Sequence, residues 1–122
     1  MNSGEKREVI DMHVASQLMA HKRNGLTAFE RLLPVFREEA AMLVSQIRCA
    51  INASDAEGLH LTAHKLKGSA SVLGAIEVRQ ISQSVMDEAQ KGAYPSLECL
   101  QELEKSVEQF LASAQQAVSR RV

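Results

Sequence analysis

The chain has 122 residues, with 14 Lys and Arg against 15 Asp and Glu for a formal net charge of −1, a near-balance that offers no overall attraction to nucleic acid or an anionic membrane. No apolar run approaches the length of a membrane span and no secretory signal precedes the first structured segment; the two cysteines, Cys49 and Cys99, lack CxxC spacing and suit a reducing, cytoplasmic setting. With aromatics at 3 % and no tryptophan, in a background rich in Ala, Leu, Glu, Gln and Lys, the composition favours helix over sheet and predicts one all-α domain over residues 1–122.

Residues 1–8 are polar and expected to fray. From Val9 to Lys22, Ile10, Val14 and Leu18 recur every four residues beside a second line of Met12, Ala15 and Met19. This spacing predicts a short amphipathic helix stopped by Asn24-Gly25. Thr27 and Glu30 fit a capping box opening a second helix. Its apolar seam runs through Leu32, Phe36, Ala40, Leu43, Ile47 and Ala50 to about Asn52. Pro34 either kinks this helix or falls in its first turn, and the sequence leaves both open. Ser54 with Glu57 forms a second candidate capping box for a third helix ending near Leu73-Gly74. A fourth helix, from Ala75 to Gln90, presents Val78, Ile81, Val85 and Ala89. After Lys91-Gly92 and Tyr94-Pro95-Ser96, a fifth helix carries Leu97, Leu100, Leu103, Val107, Phe110, Ala114 and Ala117, before a frayed tail at 119–122. Four long seams joined by short links predict an antiparallel, up-down four-helix bundle with a short additional N-terminal helix. The methionines at 12, 19, 42 and 86 read as core or seam filler.

The third helix holds the chemistry. Leu59, Ala63, Leu66, Ala70 and Leu73 make its apolar stripe, and beside them His60, His64, Lys67 and Ser71 share one polar strip. Gly68 follows His64 by one turn, on the same face. Glycine inside a helix costs roughly 1 kcal/mol relative to alanine, so it calls for a reason, and cleared space next to an imidazole is the obvious one. A neutral imidazole is a competent nucleophile near pH 7, and an ammonium at Lys67 offsets the charge of a phosphoryl group placed on it. These residues make a reversible phosphohistidine site plausible.

The run Ala63-His64-Lys65-Leu66-Lys67-Gly68-Ser69-Ala70, followed by Leu73-Gly74-Ala75, resembles the His-x-Leu-Lys-Gly signature of histidine phosphotransfer (HPt) domains, with its second glycine six residues on. The similarity extends from about Ile10 to Phe110, taking in Phe36, Asp55 and Gly92. The resemblance implies that His64 is the phospho-acceptor, Lys67 the charge beside the phosphate, Gly68 the gap that admits a partner and Gly74 the turn out of the helix. It implies relay between aspartates of response-regulator receiver domains, supplied by a hybrid sensor histidine kinase, with Mg²⁺ carried by the receiver and no cofactor in the chain itself. His60, Lys65, Ser71 and Gln83 are the expected binding residues around His64, and the chain is expected to be a monomer. One position departs from the family pattern: where many members place Glu or Gln to support the imidazole, this chain has Met86, leaving Gln83 or Gln80 as substitutes.

Other readings compete less well. His60 and His64 have the i, i+4 spacing of helical metal sites, but there is no HExxH arrangement and no evident third ligand, so no metal is expected. His13 and His21 have no companions and read as surface residues. No Gly-rich nucleotide loop is present, so the chain is expected to be a relay intermediate and not a kinase. A helical adaptor that binds a receiver or kinase without transferring phosphate shares the fold, and only the intact His64, Lys67 and Gly68 set speaks against it.

Overall fold

A computed structural model describes residues 9–120, so the expected fray at 1–8 lies outside the described residues. The elements in chain order are α1 (Met12–Leu18), a two-stranded hairpin of β1 (Lys22–Arg23) and β2 (Leu26–Thr27), α2 (Ala28–Asn52), α3 (Ala56–Leu73), α4 (Ile76–Gln90) and α5 (Leu97–Arg120). Helix α2 packs on α3 and α5, and α4 packs on the same two, which closes a four-helix ring. The links at 53–55, 74–75 and 91–96 are too short for anything but antiparallel neighbours. This is the all-α bundle that the four seams predict.

The start of the chain differs from its sequence reading. Asp11 caps α1 by accepting from the His13 and Val14 backbone N–H groups, so the helix begins at Met12 and not at Val9. Val9 and Ile10 are instead extended against the α3–α4 turn, where Ile10 bridges to Ala75 and the Asp11 N–H donates to the Gly74 carbonyl at 2.7 Å. Asn24-Gly25 does more than stop a helix. Both residues have positive φ, and they turn a hairpin in which Lys22 pairs with Thr27.

The Thr27 capping box is present: the Thr27 hydroxyl accepts from the Glu30 N–H at 3.1 Å, and the Glu30 carboxylate accepts from the Thr27 N–H at 3.0 Å. The Thr27 N–H first, and then the Thr27 hydroxyl donating to Glu30 Oε1 at 3.0 Å, hold the Glu30 carboxyl below its ordinary pKa, with Lys22 adding to the effect. A lowered pKa in the folded state means that the contribution is complete above the ordinary glutamate range and is lost as pH falls below it through the lowered value. Thr27→Ala removes the N-cap hydroxyl that accepts from the Glu30 N–H and should cost about 1 kcal/mol. The Thr27 N–H that lowers the Glu30 pKa remains in this variant, so the acid-dependent part is read instead from Glu30→Gln, whose thermal melts should converge with wild type on acidification below that range.

Since α2 begins at Ala28, Pro34 lies past the first turn, exposed inside a continuous helix, and the Glu30 carbonyl lacks its usual i+4 donor there. The cap of α3 is Asp55, not Ser54. Asp55 accepts from the Gly58 N–H at 2.9 Å, while Ser54 takes a left-handed conformation in the turn. Gly74 ends α3 at φ +74, as the motif implies, and has a second reason to be glycine. A Cβ there would come within 3.0 Å of the Asp11 carbonyl. Helix α5 runs on through Ser119 and Arg120, which read as tail from sequence.

The core is continuous through the bundle. Phe110 is fully buried and meets Phe36 and Phe29 edge-on, at ring-centroid distances of 5.4 and 6.5 Å. The predicted seams of α2 and α4 are buried apart from one position in each: Leu33 is buried with Leu32 partly buried beside it, and Ser82 is buried beside partly buried Ile81. The buried Ser106 hydroxyl donates to the Leu103 carbonyl, whereas the Ser82 hydroxyl has no partner among the described residues. Met19 and Met86 are buried, but Met12 and Met42 are exposed, contrary to their reading as filler. No helix among the described residues is long and apolar enough to cross a membrane.

Candidate functional site

Helix α3 is anchored along one side by Leu59, Ala63, Leu66, Ala70 and Leu73, all buried. That stripe fixes what the helix turns outward. His64, ninth of its 18 residues, stands at the middle of the outward face and is exposed. Its ring makes no hydrogen bond among the described residues. Gly68, one turn on, is exposed too, and a Cβ built there would meet nothing within 4 Å. No packing constraint explains this glycine, and the surface beside the imidazole is open.

The α2 side of this face is apolar. Val35 and Met42 on α2, with Leu61 and Val72 on α3, are each more than half exposed. Glu39 lies between Val35 and Met42 on the same strip of α2, and it accepts a hydrogen bond from Ser69, the residue after Gly68. The two strips are thereby neighbours, and Leu61 and Val72 lie on the same line of α3 as Gly68, Leu61 also bordering the hollow against Ala89 and Gln90 of α4. Lys65 is exposed on this side.

The α4 side is polar. Lys67 is half-buried, and its ammonium donates to Gln83 Oε1 at 2.5 Å; Gln83 Nε2 in turn donates to Asp87 Oδ1 at 2.9 Å. Ser71 spends its hydroxyl on the Lys67 carbonyl at 2.8 Å. His60 is half-buried one turn before His64, beside Glu57, Leu61 and Ala89.

Residues 31–119 match the family model described as the Hpt domain. The chain belongs to the Hpt family. Membership places this Hpt domain in phosphotransfer within phosphorelay signalling and makes response-regulator receiver domains its class of partner. A search of curated proteins found no match.

The Hpt domain thus gathers His60, His64, Lys65, Lys67, Gly68 and Ser71 on one face of α3, with Gln83 joining from α4 through Lys67. Gln83 does not reach the imidazole, as the sequence reading allowed. It is committed to Lys67 and Asp87, Gln80 is exposed, and Met86 is buried in the core. Sequence reasoning missed Asp87 and the exposed apolar quartet. Asp87 was visible only as a residue four after Gln83, and Leu61 and Val72 as apolar residues off the α3 stripe. No group of three or more His, Cys, Asp or Glu among the described residues could hold a metal. Cys49 and Cys99 are free thiols; burial, then Glu88 and Glu102, push the Cys99 thiol up in pKa.

Proposed function

We propose that this Hpt domain relays phosphoryl groups between receiver aspartates by way of His64. The observation that carries the reading is an exposed imidazole on a firmly packed helix, with open surface over Gly68 on one side and an ordered ammonium, Lys67, on the other. A ring nitrogen (Nε2 in the family pattern) attacks the phosphorus of an aspartyl phosphate in line. The new N–P bond forms as the bond from phosphorus to the aspartyl oxygen breaks, and the aspartate leaves as a carboxylate. The other ring nitrogen keeps its proton. The reverse sequence passes the group to a second aspartate. Lys67 offsets the charge that collects on the phosphoryl oxygens, while the receiver supplies Mg²⁺, so that catalysis rests on positioning and charge.

In this reading the apolar quartet Val35, Met42, Leu61 and Val72 is where the receiver docks. Its burial supplies affinity, and the Gly68 gap brings the receiver's phosphoaspartate down to the ring. The donor upstream is a hybrid sensor kinase, and the domain works as a cytoplasmic monomer with no cofactor of its own.

The test is to incubate the domain with phosphorylated receivers and follow the label. Acid-labile, base-stable phosphate that maps by mass spectrometry to His64 is the expected result. Label on another residue, or none from any of a broad panel of receivers, would refute the assignment. Gly68→Gln adds a further check with two opposed signs. The melting temperature should rise, since glycine costs roughly 1 kcal/mol in a helix interior and the added side chain meets nothing. Transfer from a phosphorylated receiver should fall by about tenfold or more, equivalent to about 1.4 kcal/mol or more of lost docking.

A further inference from the structure

Lys67, Gln83 and Asp87 form a chain that the phosphotransfer reading alone does not call for. An ammonium can only donate hydrogen bonds and a carboxylate can only accept them, so a side chain that bridges the two must do both. The Gln83 amide does so in one orientation, with Oε1 toward Lys67 and Nε2 toward Asp87. Gln83 and Asp87 are four residues apart on α4, hence on one face of that helix, and Asp87 fixes which way the amide points.

We infer that Gln83, oriented by Asp87, is the positioning residue for Lys67, holding its ammonium on the α4 side of the His64 face without neutralising it. The inference rests on His64 being the phospho-acceptor. A lysine side chain has four rotatable carbon–carbon bonds, and free on a helix surface it would have to be ordered each time a phosphoryl group arrived. The bond across to α4 does that ordering in advance. The choice of an amide matters as much as the bond. A carboxylate at position 83 would hold the ammonium as well, but would compete with the phosphoryl group for its charge. With glutamine the negative charge stands one residue further out, at exposed Asp87, and the ammonium keeps two N–H groups for phosphate. Buried Met86 offers the ring no hydrogen bond, so the polar support of this site runs through Lys67 rather than through the imidazole.

Two measurements test this, one of them independent of phosphorylation. In protein with ¹⁵N-labelled lysine, the Lys67 ammonium should give a resonance protected from rapid exchange, assigned by its loss in Lys67→Ala. It should vanish in Gln83→Ala, weaken in Asp87→Ala and persist in Gln83→Glu. Phosphoramidate then serves as a phosphoryl donor without a partner protein: its P–N bond breaks, ammonia leaves, and the N–P bond to His64 forms. Gln83→Ala should label about tenfold more slowly, in line with losing a hydrogen bond to a charged group. Gln83→Glu should also label more slowly although its ammonium remains ordered. The double variant Lys67→Ala/Gln83→Ala should be no slower than Lys67→Ala alone. A double variant that is slower by the full Gln83→Ala factor, or a Lys67 resonance indifferent to Gln83, overturns the inference. If wild type takes phosphate from neither phosphoramidate nor any phospho-receiver while the resonance still depends on Gln83, the phospho-acceptor reading fails. Gln83 is then a contact of the fold with no part in transfer.

Discussion

Replacing His64 with glutamine should leave the fold unchanged and remove phosphate labelling entirely. The imidazole is exposed and contributes nothing to the buried stripe of α3, and its ring makes no hydrogen bond among the described residues. Glutamine is a good helix former, so circular dichroism and the melting temperature should stay within the narrow range typical of surface substitutions, about 0.5 kcal/mol. The side chain keeps a polar end of similar reach, but an amide nitrogen has no basic lone pair to attack phosphorus. Loss should therefore be absolute, unlike the partial losses expected at Gly68 or Gln83, because in the proposed mechanism those residues assist a bond that His64 itself makes. Receiver binding, read by titration calorimetry, should persist in the variant. Residual labelling of His64→Gln at a rate near wild type would move the acceptor elsewhere, and His60, one turn away, would be the first residue to replace.

The largest loss of stability should come from Phe110→Ala. Its ring is fully buried toward the end of the bundle where α2 begins and meets two other aromatic rings edge-on, Phe36 from one turn of α2 and Phe29 from another. Truncation removes the ring's burial, leaves a cavity that Phe29 and Phe36 cannot both fill, and forfeits two favourable edge-to-face contacts. About 3–5 kcal/mol is expected. Small domains hold only about 5–15 kcal/mol in total, so urea unfolding should show a midpoint greatly lowered, with part of the population unfolded before denaturant is added. Phe110→Leu keeps most of the volume and should recover over half of the loss. A cost below 1 kcal/mol for the alanine variant would mean that the α2–α5 interface repacks freely, and the aromatic cluster would not organise this end of the core.

How much of this was legible in sequence depended on the range of the interaction. The apolar stripe of α3 was readable residue by residue, because a four-and-three spacing leaves a long helix one way to bury its side chains. The Thr27 box was readable for the same reason: its partners are three residues apart. The errors fall where two local solutions compete. Ser54 and Asp55 are both good caps, and the turn geometry decided for Asp55. Leu32 and Leu33, or Ile81 and Ser82, differ by one step around the helix, and only the neighbouring helix selects between them. The hairpin at 22–27 was missed because two-residue strands have no period to detect, and Asn24-Gly25 serves a helix stop and a hairpin turn equally well. In the site, the residues of α3 were found together because one helix carries them all. Gln83 was noticed, but its partner was not, since contact between Lys67 and Gln83 depends on how α3 and α4 slide against each other. The exposure of Met42 was hidden for the same reason.

The bridge from Ile10 to Ala75 fixes where the described part of the chain enters the bundle. It places Val9 at the beginning of α4, and α5, antiparallel to α4, delivers Arg120 to that same pole of the bundle. The two ends of the described chain therefore meet at one pole, while the turns at 53–55 and 91–96 occupy the other. His64 lies midway between the poles, on the flank. A cargo or linker joined at either end would trail from the pole and leave the flank unobstructed, so that successive receivers could come to the same histidine broadside, one after another, without the leash having to move aside.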